Sequence, residues 1–282
     1  MNNITKRTLT GAVYIGVILA ATCINPFVTA SLFTLISIMA LYEFYRNADL
    51  LGIRANKAIG HLVNIIFMLA ASSCLFISPA FLEFSIFPVA IFSSLLIAPC
   101  ITLVCELFHK TENPFTNVAY TFLSVIYLTF PISLMMIIVA IHGFEPLQLL
   151  SLFIFAWCND TFAYLVGCKW GKHRLFERIS PKKSWEGFIG GVVATLIAAT
   201  AVWYFYGRNV DGSQTYLAYW IGLALIMSIF GTLGDLVESM FKRQVGVKDS
   251  GNILPGHGGI LDRFDSFFIA IPVVFVYLLI FN

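Results

Sequence analysis

The sequence predicts an all-α, polytopic membrane protein with about nine transmembrane helices, and three observations predict it. Of its 282 residues, 59% are apolar and only 11% are charged, with a mean hydropathy of +0.86; soluble domains carry roughly 25% charged residues. The apolar residues fall into long runs separated by turn-forming positions. The cations fall almost entirely at alternate breaks between those runs, as the positive-inside rule requires of a spanning chain.

A hydrocarbon core of about 30 Å needs about 20 apolar residues per helix. Runs suited to this lie near 10–25, 27–45, 59–78, 85–107, 117–141, 147–168, 187–206, 216–237 and 266–281. The first follows Lys6 and Arg7, and no small-residue cleavage site ends it, so it reads as a span rather than a removable signal. Breaks at Asn25-Pro26, Ser78-Pro79, Asn113-Pro114, Gly143 to Pro146 and Asp211-Gly212 set off the runs that follow. Pro88, Pro99 and Pro131 fall inside runs, where a membrane helix tolerates a kink. The first and last runs are short enough to be tilted or partly interfacial.

If the faces alternate along nine spans, sixteen of the 17 Lys and Arg share the N-terminal face, and only Arg208 lies opposite. That places the N-terminus and both long polar loops, 169–186 and 238–265, in the cytoplasm. We divide the chain into an N-terminal membrane region, 1–145 (spans 1–5), and a C-terminal region, 146–282 (spans 6–9), which holds both loops and is expected to be catalytic. The net charge of +2 gives no argument for nucleic acid. The six cysteines form no CxxC pair and read as small buried hydrophobes. No phosphate-binding GxxxxGK loop, GxSxG elbow or HExxH helix occurs.

The densest chemistry runs from Ser239 to Asp265, where Lys242, Arg243, Lys248, His257 and Arg263 mix with Asp249, Asp262 and Asp265 around glycines and a proline. Fixed cations suit phosphate oxygens, and clustered carboxylates suit a divalent cation. Asp235, Glu238, Ser239 and Lys242 stand at i, i+3, i+4 and i+7 and share one helical face, while Gly231 and Gly234 let another backbone approach it. A salt-bridged interfacial helix end is the alternative, disfavoured because Asp235 lies inside an apolar run. Asp262 and Asp265 come together if their turn is helical, and Asp235 is a third oxygen donor for a shared cation. His257, Gly258 and Gly259 form a loop able to close on an anion, or a plain flexible loop. In the other polar segment, Asn159, Asp160 and Thr161 interrupt an apolar helix, and Ser180-Pro-Lys182-Lys183-Ser-Trp-Glu offers hydroxyls and ammonium groups. Attraction to anionic headgroups is the alternative there. Glu43 and Glu106, at cytoplasmic span ends, read as snorkelling or capping residues.

These segments resemble the CTP:phosphatidate cytidylyltransferases (CDP-diacylglycerol synthases). The family signature of Ser, two residues, Lys-Arg, four residues, Lys-Asp, a spacer, His-Gly-Gly and Asp-Arg-x-Asp is complete from Ser239 to Asp265. Asn159-Asp160-Thr161 and Ser180 to Gly187 are similar to the same family. The resemblance implies a nucleotidyltransferase that joins CTP to phosphatidic acid, giving CDP-diacylglycerol and pyrophosphate for phospholipid synthesis. It further implies magnesium, which in the family can be paired with a monovalent cation such as K+, and a homodimer in a bacterial-type inner membrane. Asp235, Asp262 and Asp265 are then the expected metal ligands, and these with Lys242 and Arg263 the expected catalytic set. Asn159, Asp160, Ser180, Lys182, Lys183, Ser239, Arg243, Lys248, Asp249, His257, Gly258 and Gly259 are the expected substrate-binding residues. Two other readings exist: a CTP-using polyprenol kinase, and a transporter coupled through Asp160 and Asp235.

Overall fold

The protein was analysed as a computed structural model, which describes residues 3–76, 86–141, 144–210, 212–253 and 258–281. His257, Gly143, Asp211 and the expected break at Ser78-Pro79 lie outside the described residues. Among those described, nine helices make up nearly all the structure: α1 (Asn3–Ile24), α2 (Pro26–Leu50), α3 (Lys57–Phe76), α4 (Ile86–Phe108), α5 (Pro114–Ala140), α6 (Pro146–Trp170), α7 (Trp185–Phe205), α8 (Leu217–Val245) and α9 (Leu261–Phe281). Eight, α2 to α9, are long and apolar enough to cross a membrane, and α1 contributes the shorter apolar stretch Gly11–Ile24. Side chains such as Leu107 (81% exposed) and Phe108 (83%) point outward, which is costly in water and favourable in lipid. The protein is a polytopic integral membrane protein. Of its free cysteines Cys74 is buried, but Cys23, Cys100 and Cys168 are exposed, because a lipid-facing thiol need not be covered by protein.

The apolar runs mark the hydrocarbon-embedded part of each helix but not its ends. Helix α8 continues past residue 237 to Val245, and α9 starts at Leu261 rather than 266, so much of the expected 238–265 loop is helical. The other polar loop forms a small antiparallel hairpin, β1 (Arg174–Phe176) with β2 (Ser180–Ser184). Ser184 caps α7 by accepting a bond from Gly187 N at 3.2 Å.

The chain forms two compact units: Met1–Pro146 with Val245–Arg263, and Leu147–Gln244 with Phe264–Asn282. In the first, α3 packs against α2, α4 and α5. A buried polar chain links three of these helices. Thr129 Oγ1 donates to Asn64 Oδ1 at 2.9 Å, and Asn64 Nδ2 donates to Ser37 Oγ at 3.1 Å. Tyr45 and Ser124 share a further buried hydroxyl bond of 2.7 Å. Such bonds satisfy polar groups that lipid cannot. Helix α5 widens into one π turn over Val125–Thr129, where Phe130 N reaches back five residues to Val125 O. Its cause is Pro131, which lacks an N–H and whose ring would strike the carbonyl four residues earlier.

In the second unit, Phe153 packs at a tilt against Phe267 at 4.5 Å and meets Phe264 edge-on at 6.2 Å, joining α6 to α9. Gln148 donates to the Tyr219 hydroxyl, and Tyr277 Oη donates to Tyr219 O at 3.1 Å, tying α6, α8 and α9 together. The hairpin is held at both ends. Glu186 accepts from Lys172 N at 3.1 Å and His173 N at 3.2 Å, and Arg243 Nε donates to Ile179 O at 3.4 Å.

Candidate functional site

Within the second unit, Gly234 lets α8 and α9 approach closely: a Cβ there would lie 3.2 Å from Ser266 Cα, against backbone that cannot yield. That approach brings three carboxylates together. Oxygens of Asp235, Glu238 and Asp265 all lie within 4.8 Å of one another. Asp235 and Glu238 are one turn apart on α8, and Asp265 reaches them from α9. Like charges so close, with Glu238 only 1% exposed, require compensation. Two lysines supply part of it. Lys183, on β2, pairs with Asp235 Oδ2 at 2.5 Å, and Lys242, one turn beyond Glu238, pairs with its Oε2 at 2.5 Å. Ser239 Oγ donates to Asp235 Oδ1 at 3.2 Å, and Ser266 N donates to Asp265 Oδ1 at 2.6 Å. Asp160, on α6, adds its negative charge to the field at Asp265.

A magnesium ion takes one or two carboxylates from a protein and fills its other positions with waters and phosphate oxygens, and the three carboxylates on two helices are enough to supply them. The donor set fits the expected metal.

The remaining predicted residues are distributed as follows. Asn159 is buried on α6, with Nδ2 3.4 Å from Thr232 Oγ1 and Oδ1 without a hydrogen-bond partner among the described residues. Ser180 and Lys182 lie on β2 beside Lys183, and Arg243 holds the hairpin turn. In the first unit, Asp262 was grouped by sequence with Asp235 and Asp265. Within its own unit its Oδ2 accepts from Ser250 N (2.9 Å), Ser250 Oγ (2.9 Å) and Gly259 N (2.8 Å). Gly258 holds a positive φ of 84° against the same carboxylate. Lys248 and Asp249 are exposed, and Arg263 Nε is buried with no hydrogen-bond partner among the described residues. A cavity of about 370 Å³ lined by Arg54, Lys57, Glu106, His109 and Lys110 contains none of the predicted residues.

Glu238 shares the predicted helical face, i+3 from Asp235, but was not among the expected metal ligands; the structure puts it in the same carboxylate cluster. Glu43 was also set aside. It is fully buried and bonded to residues more than 200 positions away, which no local pattern reveals.

Long apolar helices that carry three carboxylates and two lysines in one cluster mark a polytopic membrane protein with a concentrated polar site. The profile of the cytidylyltransferase family matches residues 5–281, and the chain belongs to that family. It is 33% identical to the phosphatidate cytidylyltransferase of Bacillus subtilis (strain 168) over 285 residues, all of both chains. It is 53% identical over 133 residues to the protein of that name from Staphylococcus aureus (strain COL), covering 46% of this chain and 48% of that one. The Staphylococcus haemolyticus protein of that name is 50% identical over a stretch of the same length. The chain thus aligns with about half the length of these staphylococcal relatives. The family resemblance read from Ser239 to Asp265 agrees with these matches.

Proposed function

We propose that the protein transfers CMP from CTP to phosphatidic acid. A phosphate oxygen of the lipid bonds to the α-phosphorus of CTP, the bond from that phosphorus to the bridging α–β oxygen breaks, and pyrophosphate leaves with the electron pair. Full-length identity to a relative of that name supports the substrates, and the Asp235–Glu238–Asp265 cluster with its two lysines is the observation that carries the chemistry.

The lipid phosphate is already anionic, so it needs little base catalysis. The obstacle is bringing it to a polyanionic nucleotide. Asp235, Glu238 and Asp265 would hold magnesium, which would supply charge neutralisation at the phosphates. Lys183 and Lys242, released in part from their carboxylates as phosphate enters, are positioned to bind phosphate oxygens. Lys182 and Arg243 flank them on the hairpin and on α8, and Lys248 and Arg263 are assigned by resemblance to the same task. Orientation for in-line attack is then mostly a matter of placement. The distribution of Lys and Arg supports a cytoplasmic active site in a bacterial inner membrane, where CTP is available. A homodimer and a companion monovalent cation complete the proposal by resemblance.

The test is purified protein with phosphatidic acid, magnesium and CTP labelled at either the α or the γ phosphorus. The α-label should enter lipid and the γ-label should leave as pyrophosphate. Transfer of the γ-label into lipid would instead show a kinase.

A further inference from the structure

None of the groups assigned so far lies on α2, yet the cytoplasmic end of that helix grips the signature segment with three side chains from a single turn. Glu43 is 0% exposed. Its Oε2 accepts from Leu261 N, the first residue of α9, at 3.0 Å, and from Ser250 Oγ at 3.3 Å. Arg46 Nη2 and Asn47 Nδ2 both donate to Ser250 O, at 2.7 and 3.0 Å. Ser250, itself fully buried, passes the contact on through its N and Oγ to Asp262 Oδ2. The segment is moulded around the Glu43 carboxylate, since a Cβ at either Gly251 or Gly259 would collide with it. A carboxylate buried so completely in a membrane protein is expensive unless it organises something. Here it receives the start of a helix whose next turn carries Asp265.

We propose that Glu43, with Asn47, is a positioning residue for the transfer reaction. It fixes where α9 begins and, through Ser250, the placement of Asp262, which the family resemblance assigns to the site. This rests on the cytidylyl-transfer reading for its kinetic consequence, but not for the clamp itself. A misplacement of about 1 Å at a reacting group can lower a rate about 100-fold.

The experiment compares Glu43→Ala, Glu43→Gln and Asn47→Ala with the wild type in detergent, by steady-state kinetics and by hydrogen exchange of peptides covering 245–263. Glu43→Ala should lower kcat roughly 10- to 100-fold with KM for phosphatidic acid nearly unchanged, and Glu43→Gln, which keeps one acceptor oxygen, should recover part of the loss. Exchange should rise at 245–263 and stay unchanged in α3. Asn47→Ala should move both readouts in the same direction by less, which keeps the test available if Glu43→Ala does not fold. A kcat within about twofold of wild type in Glu43→Ala, or exchange that rises evenly along the chain, overturns the proposal. If the wild type forms no CDP-diacylglycerol, the functional reading fails, while exchange at 245–263 still decides the clamp.

Discussion

Replacing Glu238 by glutamine separates the electrostatics of the carboxylate cluster from the stability of the fold. At an effective dielectric constant of about 20, two unit charges no more than 4.8 Å apart repel by at least about 3.5 kcal/mol. Glu238 faces two such neighbours, Asp235 and Asp265, so neutralising it removes at least about 7 kcal/mol of repulsion. The same change removes its attraction to Lys242 at 2.5 Å, about 6.6 kcal/mol on the same scale. The gain in relieved repulsion offsets the lost attraction, and the glutamine oxygen still accepts a bond from Lys242. The variant should therefore insert and unfold much as the wild type does. Magnesium binding has no such compensation, because one of three anionic donors is lost. The apparent magnesium requirement should rise at least about tenfold, equivalent to about 1.4 kcal/mol. Magnesium titration of CDP-diacylglycerol formation, with a chelated control, reads this directly, and thermal unfolding in detergent reads the fold. A Glu238→Gln enzyme with wild-type magnesium dependence refutes the assignment of that carboxylate to the cation.

Other substitutions probe separate links. Lys183→Met leaves Asp235 without its 2.5 Å partner and removes a cation from the phosphate path, so kcat/KM for CTP should fall at least about tenfold, by initial rates. Gly234→Ala places a Cβ against α9 backbone and should cost about 1–3 kcal/mol, seen as a lower melting temperature together with loss of activity. Tyr45→Phe removes the 2.7 Å bond to Ser124, whose hydroxyl still has Thr121 O as an acceptor, so it should cost only about 1 kcal/mol and leave turnover intact.

The spans could be read from sequence because hydrocarbon imposes a minimum apolar length, and the face of α8 could be read because helical spacing is local. Asp235 and Gly234 were identified this way, and Gly234 does face α9 backbone. The helix ends were less readable: a polar turn outside hydrocarbon looks like a loop, as 261–265 did ahead of the last span. That Glu238 joins Asp235 and Asp265 in one cluster depends on which way each side chain turns, which spacing does not encode. Glu43 was least readable, since Ser250 and Leu261 lie more than 200 residues away and only the tertiary fold brings them to it.

The π turn in α5 means that this helix carries one residue more than regular winding needs between Ser124 and Phe130. Shortening the chain by one residue within 125–129 would let the surplus relax, sparing the facing of the flanking turns, whereas the same deletion elsewhere in the helix would rotate everything beyond it by about 100°. Pro131 opposes that relaxation, so the tolerated shortening is the one made together with replacement of the proline. Natural length variation in this span should accordingly collect at one spot.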